Sequence, residues 1–220
     1  MTFSILAQDL SSGAFGGAAA TGALCVGGWV LRGDSRAGLS ASQGAAPSTM
    51  WGEDALEMMR GGHRADETLG RLVGADRGQA WRQLALLDKA GATACHTGDS
   101  NTDWKGALRQ DGLVVSGNML AGPDVLVALR DAYLSADGAL ADRLLAALGA
   151  AEAAGGDMRG LQSAALLVVA DDAPPLSLRV DWSEQPIPAL NDLYRRSQSG
   201  DYAAWLPTVP TRAAPERGHD

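Results

Sequence analysis

Residues 3–9 alternate, with Phe3, Ile5 and Ala7 on one side and Ser4, Leu6 and Gln8 on the other, and then run into Asp9-Leu10-Ser11-Ser12-Gly13. Period-two alternation ending in a turn of Asp, Ser and Gly predicts a strand and a hairpin. Residues 14–21 are small and glycine-rich, and residues 24–31 are apolar. Together they predict a second strand packed too closely for large side chains. A third strand is expected at 37–43.

Residues 54–60 and 66–73 read as short helices, each opened by acids and closed near Gly61 or Gly74. Residues 83–88 and 92–97 flank Lys89-Ala90-Gly91 as a second hairpin. A short strand at 113–116 leads into Gly117-Asn118-Met119-Leu120. Pro123 suits a first helical turn, and Val125, Leu126, Leu129 and Tyr133 form an apolar face. Leu140, Leu144, Leu145 and Leu148 give the next helix its face, and Gly155-Gly156 stops it. The continuous apolar run at 161–169 suits a strand buried on both sides. A strand at 176–182 and a helix at 189–196 precede a tail carrying Tyr202, Trp205, Pro207 and Pro210. Strands and helices are segregated, so the fold class is α+β with antiparallel sheets and not a doubly wound parallel sheet. Residues 1–205 read as one domain and 206–220 as a frayed C-terminal tail.

Composition changes this picture little. The 220 residues are 46% hydrophobic and 20% charged, which is ordinary globular material, and length allows one generous core. The net charge of −8 offers no basic footprint for nucleic acid. No basic segment precedes an apolar stretch at the start, and no apolar run approaches the roughly 20 residues of a membrane span. The expectation is a cytoplasmic protein with no nucleic-acid or membrane partner, whose partner is a small-molecule substrate, with a homodimer as a further expectation. Cys25 and Cys95 lie among small apolar residues and read as a reduced pair.

Candidate chemistry narrows by spacing. His63, His96 and His219 lie far apart, with no His-x3-His or Cys-x2-Cys pattern, so no metal site is expected. Gly13-Ala14-Phe15-Gly16-Gly17 lacks the dinucleotide fingerprint, and no nucleophile elbow or phosphate-binding loop is present, so no cofactor is expected. The start itself remains. An initiator methionine before threonine is commonly trimmed, and removal of Met1 would leave Thr2 with a free α-amine. Its hydroxyl would be a nucleophile and its own amine, with a reference pKa of about 7.7–8.0, the base. Many chains begin Met-Thr with no such role. The stretch from Gly155 to Ala165 crowds Asp157, Arg159, Gln162 and Ser163 at the entrance of a buried strand. Asp157 and Arg159 could hold a substrate carboxylate or fix a tight connection.

Thr2-Phe3-Ser4-Ile5, Ala41-Ser42-Gln43, His96-Thr97-Gly98, Gly117-Asn118-Met119-Leu120 and the 155–165 stretch together resemble the domain of unknown function 1028 family. The resemblance runs from residue 2 to about 182. It implies an N-terminal nucleophile (Ntn) hydrolase-like fold, a four-layer αββα sandwich of two antiparallel sheets. It also implies Thr2 as the nucleophile. Asn118 carries an amide donor suited to an oxyanion hole, and Gln43 could donate similarly. Asp157, Arg159 and Ser163 are expected to line the substrate pocket. His96 could join them, although a lone strand histidine reads better as a structural hydrogen-bonder. Two functions stay open: a small-molecule amidohydrolase using Thr2, or a ligand-binding or assembly module on the same fold that lacks the chemistry.

Overall fold

A computed structural model describes residues 2–157 and 159–218 of the chain. Two antiparallel sheets face each other, and helices cover both outer surfaces. Strands β1 (Thr2–Gln8) and β2 (Phe15–Thr21) form the opening hairpin. A single turn of helix, α1 (Val26–Trp29), precedes β3 (Leu31–Asp34) and β4 (Gly38–Gly44). Helices α2 (Thr49–Arg60) and α3 (Ala65–Ala75) lead to the hairpin of β5 (Arg82–Asp88) and β6 (Thr93–Thr97). Then come β7 (Gly106–Gln110), β8 (Leu113–Asn118), α4 (Asp124–Ser135) and α5 (Leu140–Ala153). The chain continues through β9 (Ser163–Val169), β10 (Leu176–Val180), α6 (Pro186–Ser197) and α7 (Gly200–Trp205). One sheet has six strands in the order β10-β9-β2-β1-β8-β7, and the other has four, β3-β4-β5-β6.

Three separate apolar clusters correspond to the three spaces of a four-layer sandwich. Phe3, Ile5, Ala18, Val115 and Leu166 turn toward Leu126, Leu129, Leu144 and Leu148 of α4 and α5. Leu6, Phe15, Ala19 and Val114 meet Leu31, Leu39, Ala41 and Leu87 between the sheets. Leu84, Leu86 and Ala94 meet Trp51, Ala55 and Met59 on the far side. The α+β class with antiparallel sheets read from segregation of the elements, and the four-layer sandwich that the resemblance implies, are therefore the fold. Both sheets are covered, so their inner strands β1, β2, β4, β5 and β8 bury both faces and read as apolar runs with few polar breaks.

Those breaks have a direction. Along the face that β1, β2 and β8 turn to the other sheet, alternate residues are Leu6, Ser4, Thr2, then Phe15, Gly17, Ala19, Thr21, then Val114, Ser116, Asn118. The facing strands run Leu39, Ala41, Gln43 and Leu87, Ala85, Gln83. The inter-sheet space is thus apolar at one end and polar at the other, and Thr2 stands at the polar end.

Some elements differ from the sequence reading. The apolar 24–31 segment is not a strand: residues 26–29 form α1, and Gly27 and Gly28 sit against the Arg179 side chain, where a Cβ would collide. Strand β7 was not anticipated, because GALRQ is a partly exposed edge strand with little apolar content. Helix α2 begins five residues earlier than its acids suggest, capped by Ser48, whose hydroxyl accepts from the Trp51 N–H at 3.3 Å. The tail past Trp205 lies along the body: the Ala213 N–H donates to Asp171 O at 2.8 Å, and Arg212 approaches Asp34 at 3.9 Å. Both cysteines are free thiols.

Candidate active site

Thr2 begins the strand that lies at the centre of the six-stranded sheet, in register with Thr21 on one side and Asn118 on the other. Its hydroxyl donates to Thr21 Oγ1 at 3.1 Å. Both threonines line a cavity of about 470 Å³, together with Gln43 and Arg159 as its other long polar side chains. The remaining walls are apolar, chiefly Leu24, Val26, Trp29, Val30, Pro47 and Met119. Leu24 and Trp29 are each about half exposed and stand at the opening.

Gln43 is 1% exposed and ends the inward face of β4. Its orientation follows from that of its neighbour. The Gln83 amide Nε2 is surrounded by three acceptors, Thr97 Oγ1 at 2.9 Å, Gly106 O at 3.1 Å and Gly117 O at 2.9 Å. Gln83 Oε1 must then point the other way, where it accepts from Gln43 Nε2 at 2.7 Å and Asn118 Nδ2 at 3.1 Å. With its Nε2 committed to Gln83, Gln43 keeps Nε2 within 3.5 Å of Thr2 O and leaves its own Oε1 buried with no partner. A buried acceptor without a donor costs about 1–3 kcal/mol. That acceptor belongs to a residue that lines the cavity beside Thr2.

Asp157 and Arg159 form a latch over the end of β2. The Asp157 carboxylate is fully buried; it accepts from the Gly22 N–H at 2.6 Å and the Arg159 N–H at 2.8 Å. Arg159 grips it side-on, Nε to Oδ1 at 3.3 Å and Nη2 to Oδ2 at 3.2 Å. Ser163 anchors the neighbouring loop, donating to Ala23 O at 2.8 Å and accepting from the Val26 N–H at 3.1 Å. Cys25 and Met119 are the two non-glycine residues with positive φ, 61° and 56°, among the described residues. Met119 lines the cavity and Cys25 sits between two lining residues, which fits the tendency of strained backbone to gather at working sites.

The expected site residues are therefore gathered unevenly. Thr2, Gln43 and Arg159 line one cavity; Asp157 and Ser163 position its walls. Asn118 lies beside Thr2 in register, yet it is buried, does not line the cavity and donates to Gln83. His96 lies apart, bonded to Gln79 O at 2.9 Å and set edge-on to Trp51. Thr21, Gln83 and Trp29 escaped the sequence reading. The first two could have been found as the polar last positions of an inward-facing alternation; Trp29 had no such signal. The state of Met1 lies outside the described residues, as do Met158 and His219. Among the described residues, no group of three His, Cys, Asp or Glu side chains is placed to hold a metal ion, and no helix is long and apolar enough to cross a membrane.

Comparison with known proteins adds a family. The family of unknown function DUF1028 matches residues 2–190. The chain belongs to this family. The crystal structure of a Silicibacter pomeroyi protein assigned to DUF1028 is similar to it, with 50% sequence identity and a TM-score of 0.95, covering 100% of this chain and 99% of that one. No curated protein matches. DUF1028 membership thus spans both sheets and every residue of the cavity.

Proposed function

We propose that the protein is an Ntn-type hydrolase that cleaves a small-molecule amide bond with Thr2 as its nucleophile. The observation that carries this reading is the position of Thr2: first residue of the central strand, hydroxyl held by Thr21 at 3.1 Å, at the wall of a cavity of about 470 Å³. Once Met1 is removed, the α-amine lies on the same residue as the hydroxyl and titrates near neutrality. It takes the hydroxyl proton as Oγ1 bonds to the amide carbonyl carbon, and delivers that proton to the leaving amine as the C–N bond breaks. Water then hydrolyses the threonyl ester by the same route in reverse. Gln43 Nε2, within 3.5 Å of Thr2 O, and the Thr21 hydroxyl are polar groups beside Thr2, while Gln43 Nε2 and Asn118 Nδ2 both donate to Gln83 Oε1 and hold the strand ends around it. The setting proposed is the cytoplasm.

Mass measurement of the protein from its own host, with assays on small amides, tests the reading. Trimmed Met1 and turnover abolished in Thr2→Ala are expected; retained Met1 with turnover indifferent to Thr2→Ala refutes it.

A second reading, a ligand-binding module without turnover, is favoured by one observation. The Asn118 amide is engaged by Gln83 and stays out of the cavity. Saturable binding with no turnover by the trimmed protein would select it.

A further inference from the structure

We infer that the cavity beside Thr2 takes a small amide that also carries a carboxylate, which docks on the outer edge of the Arg159 guanidinium. The amide part rests on the hydrolase reading above; the carboxylate part stands without it.

The argument starts from how Arg159 is held. A guanidinium presents two forked edges to anions, one side-on through Nε and Nη2, one end-on through both terminal nitrogens. Asp157 occupies the side-on edge, and its carboxylate is also satisfied by two backbone N–H groups. Nη1 contacts no acceptor among the described residues, so the end-on edge is open. The guanidinium lines the cavity, and its side chain is 43% exposed. Because the buried Asp157 fixes the side-on edge, the open fork is held in place before any ligand arrives, which lowers the ordering cost of binding.

The other walls choose among anions. Arg159 is the only cationic side chain among the lining residues, and the chain carries a net charge of −8. One fork in an acidic protein suits a single carboxylate better than a multiply charged phosphate. Leu24, Trp29 and Pro47 would receive an apolar group extending from the same ligand, and the two exposed members, Leu24 and Trp29, would lose water on contact. The ligand class is therefore an apolar N-acyl amino acid or a close relative, with its amide carbonyl directed at Thr2.

Calorimetric titration of the Thr2→Ala protein, in which no turnover is expected, tests this with N-acetylphenylalanine and N-acetylphenylalanine amide. The acid is expected to bind about tenfold tighter or more than the carboxamide, and the difference is expected to vanish in Arg159→Met. Equal affinity for the two ligands, a difference that persists in Arg159→Met, or no saturable binding of either overturns the inference. If loss of Arg159 leaves Asp157 unable to fold in place, Trp29→Ala serves instead. It should weaken N-acetylphenylalanine severalfold and leave N-acetylglycine unchanged; equal effects on both overturn the apolar assignment. Tight acid binding without turnover by the trimmed, unmodified protein supports the carboxylate site and removes the hydrolase reading alone.

Discussion

Gln43 donates to Gln83 Oε1 at 2.7 Å across adjacent strands of the four-stranded sheet, and through that contact the second sheet reaches the first at Thr2. Gln83 is the hub. Its single amide serves Thr97, Gly106 and Gly117 as acceptors and Gln43 and Asn118 as donors.

Gln83→Leu should therefore be among the costliest single changes in the protein. It keeps roughly the volume but strips buried partners from both sheets, at about 1–3 kcal/mol for each group left unpaired. Loss of several kcal/mol is not additive by counting, yet a drop of at least ~2 kcal/mol in chemical denaturation is expected. Unchanged stability would show the network to be replaceable by water.

Gly22→Ala should disrupt the latch while sparing the core. A Cβ at this position would collide with Asp157 Oδ2 and Gly160 O, one of them backbone. Asp157 would have to move and take Arg159 with it. Binding of N-acetylphenylalanine should fall at least severalfold, with a stability cost of about 1–3 kcal/mol. Wild-type affinity in the variant would separate the latch from the site.

Gly17→Val should overpack the inter-sheet space. A Cβ there would lie 3.0 Å from Leu6 Cδ2 and 3.2 Å from Leu31 Cδ2, tight before the valine methyls are added. The expected loss is about 1–3 kcal/mol in thermal or chemical unfolding. An unchanged midpoint would contradict the close approach of the two sheets.

Asp34 gives a pH dependence with a definite sign. Burial alone would raise its carboxyl, but hydrogen bonds from the Arg36 side chain and backbone and from Arg60 outweigh it and hold the group well below the usual carboxylate range. A lowered folded-state pKa stabilises the protein above the unfolded value near 3.9, and the contribution fades as acidification continues toward the folded value. Asp34→Asn should cost about 1–2 kcal/mol at pH 7, a modest figure because the arginine partners are half exposed. The gap between variant and wild type should narrow at pH 3; a gap that widens there would reverse the assignment.

Much of the architecture was legible because burial on both faces leaves a plain record. The Leu-rich faces of α4 and α5 and the run that becomes β9 could be read directly. The misread elements are those where a local pattern served an unseen neighbour. Residues 26–29 look like strand because they are apolar, but glycines at 27 and 28 let a helical turn lie against Arg179. Edge strand β7 buries too little to announce itself. Within the site, Thr2 and Arg159 stood out by residue type and context. Thr21 and Gln83 did not, since a single polar residue closing an apolar strand is unremarkable until the facing strands are known to do the same. Asn118 illustrates the converse: its residue type suggested an oxyanion donor, and its amide is occupied by a residue from the other sheet.

The strand that opens the chain pairs on one side with β2, a dozen or so residues later, and on the other with β8, where Thr2 meets Asn118. During synthesis β1 therefore emerges long before the second of its neighbours exists. Until β8 leaves the ribosome, residue 2 has only half of its surroundings, and the pocket wall contributed by Arg159 is later still. The polar end of the inter-sheet space is therefore among the last parts of the fold to be completed, whereas the hairpin of β1 and β2 can pair early.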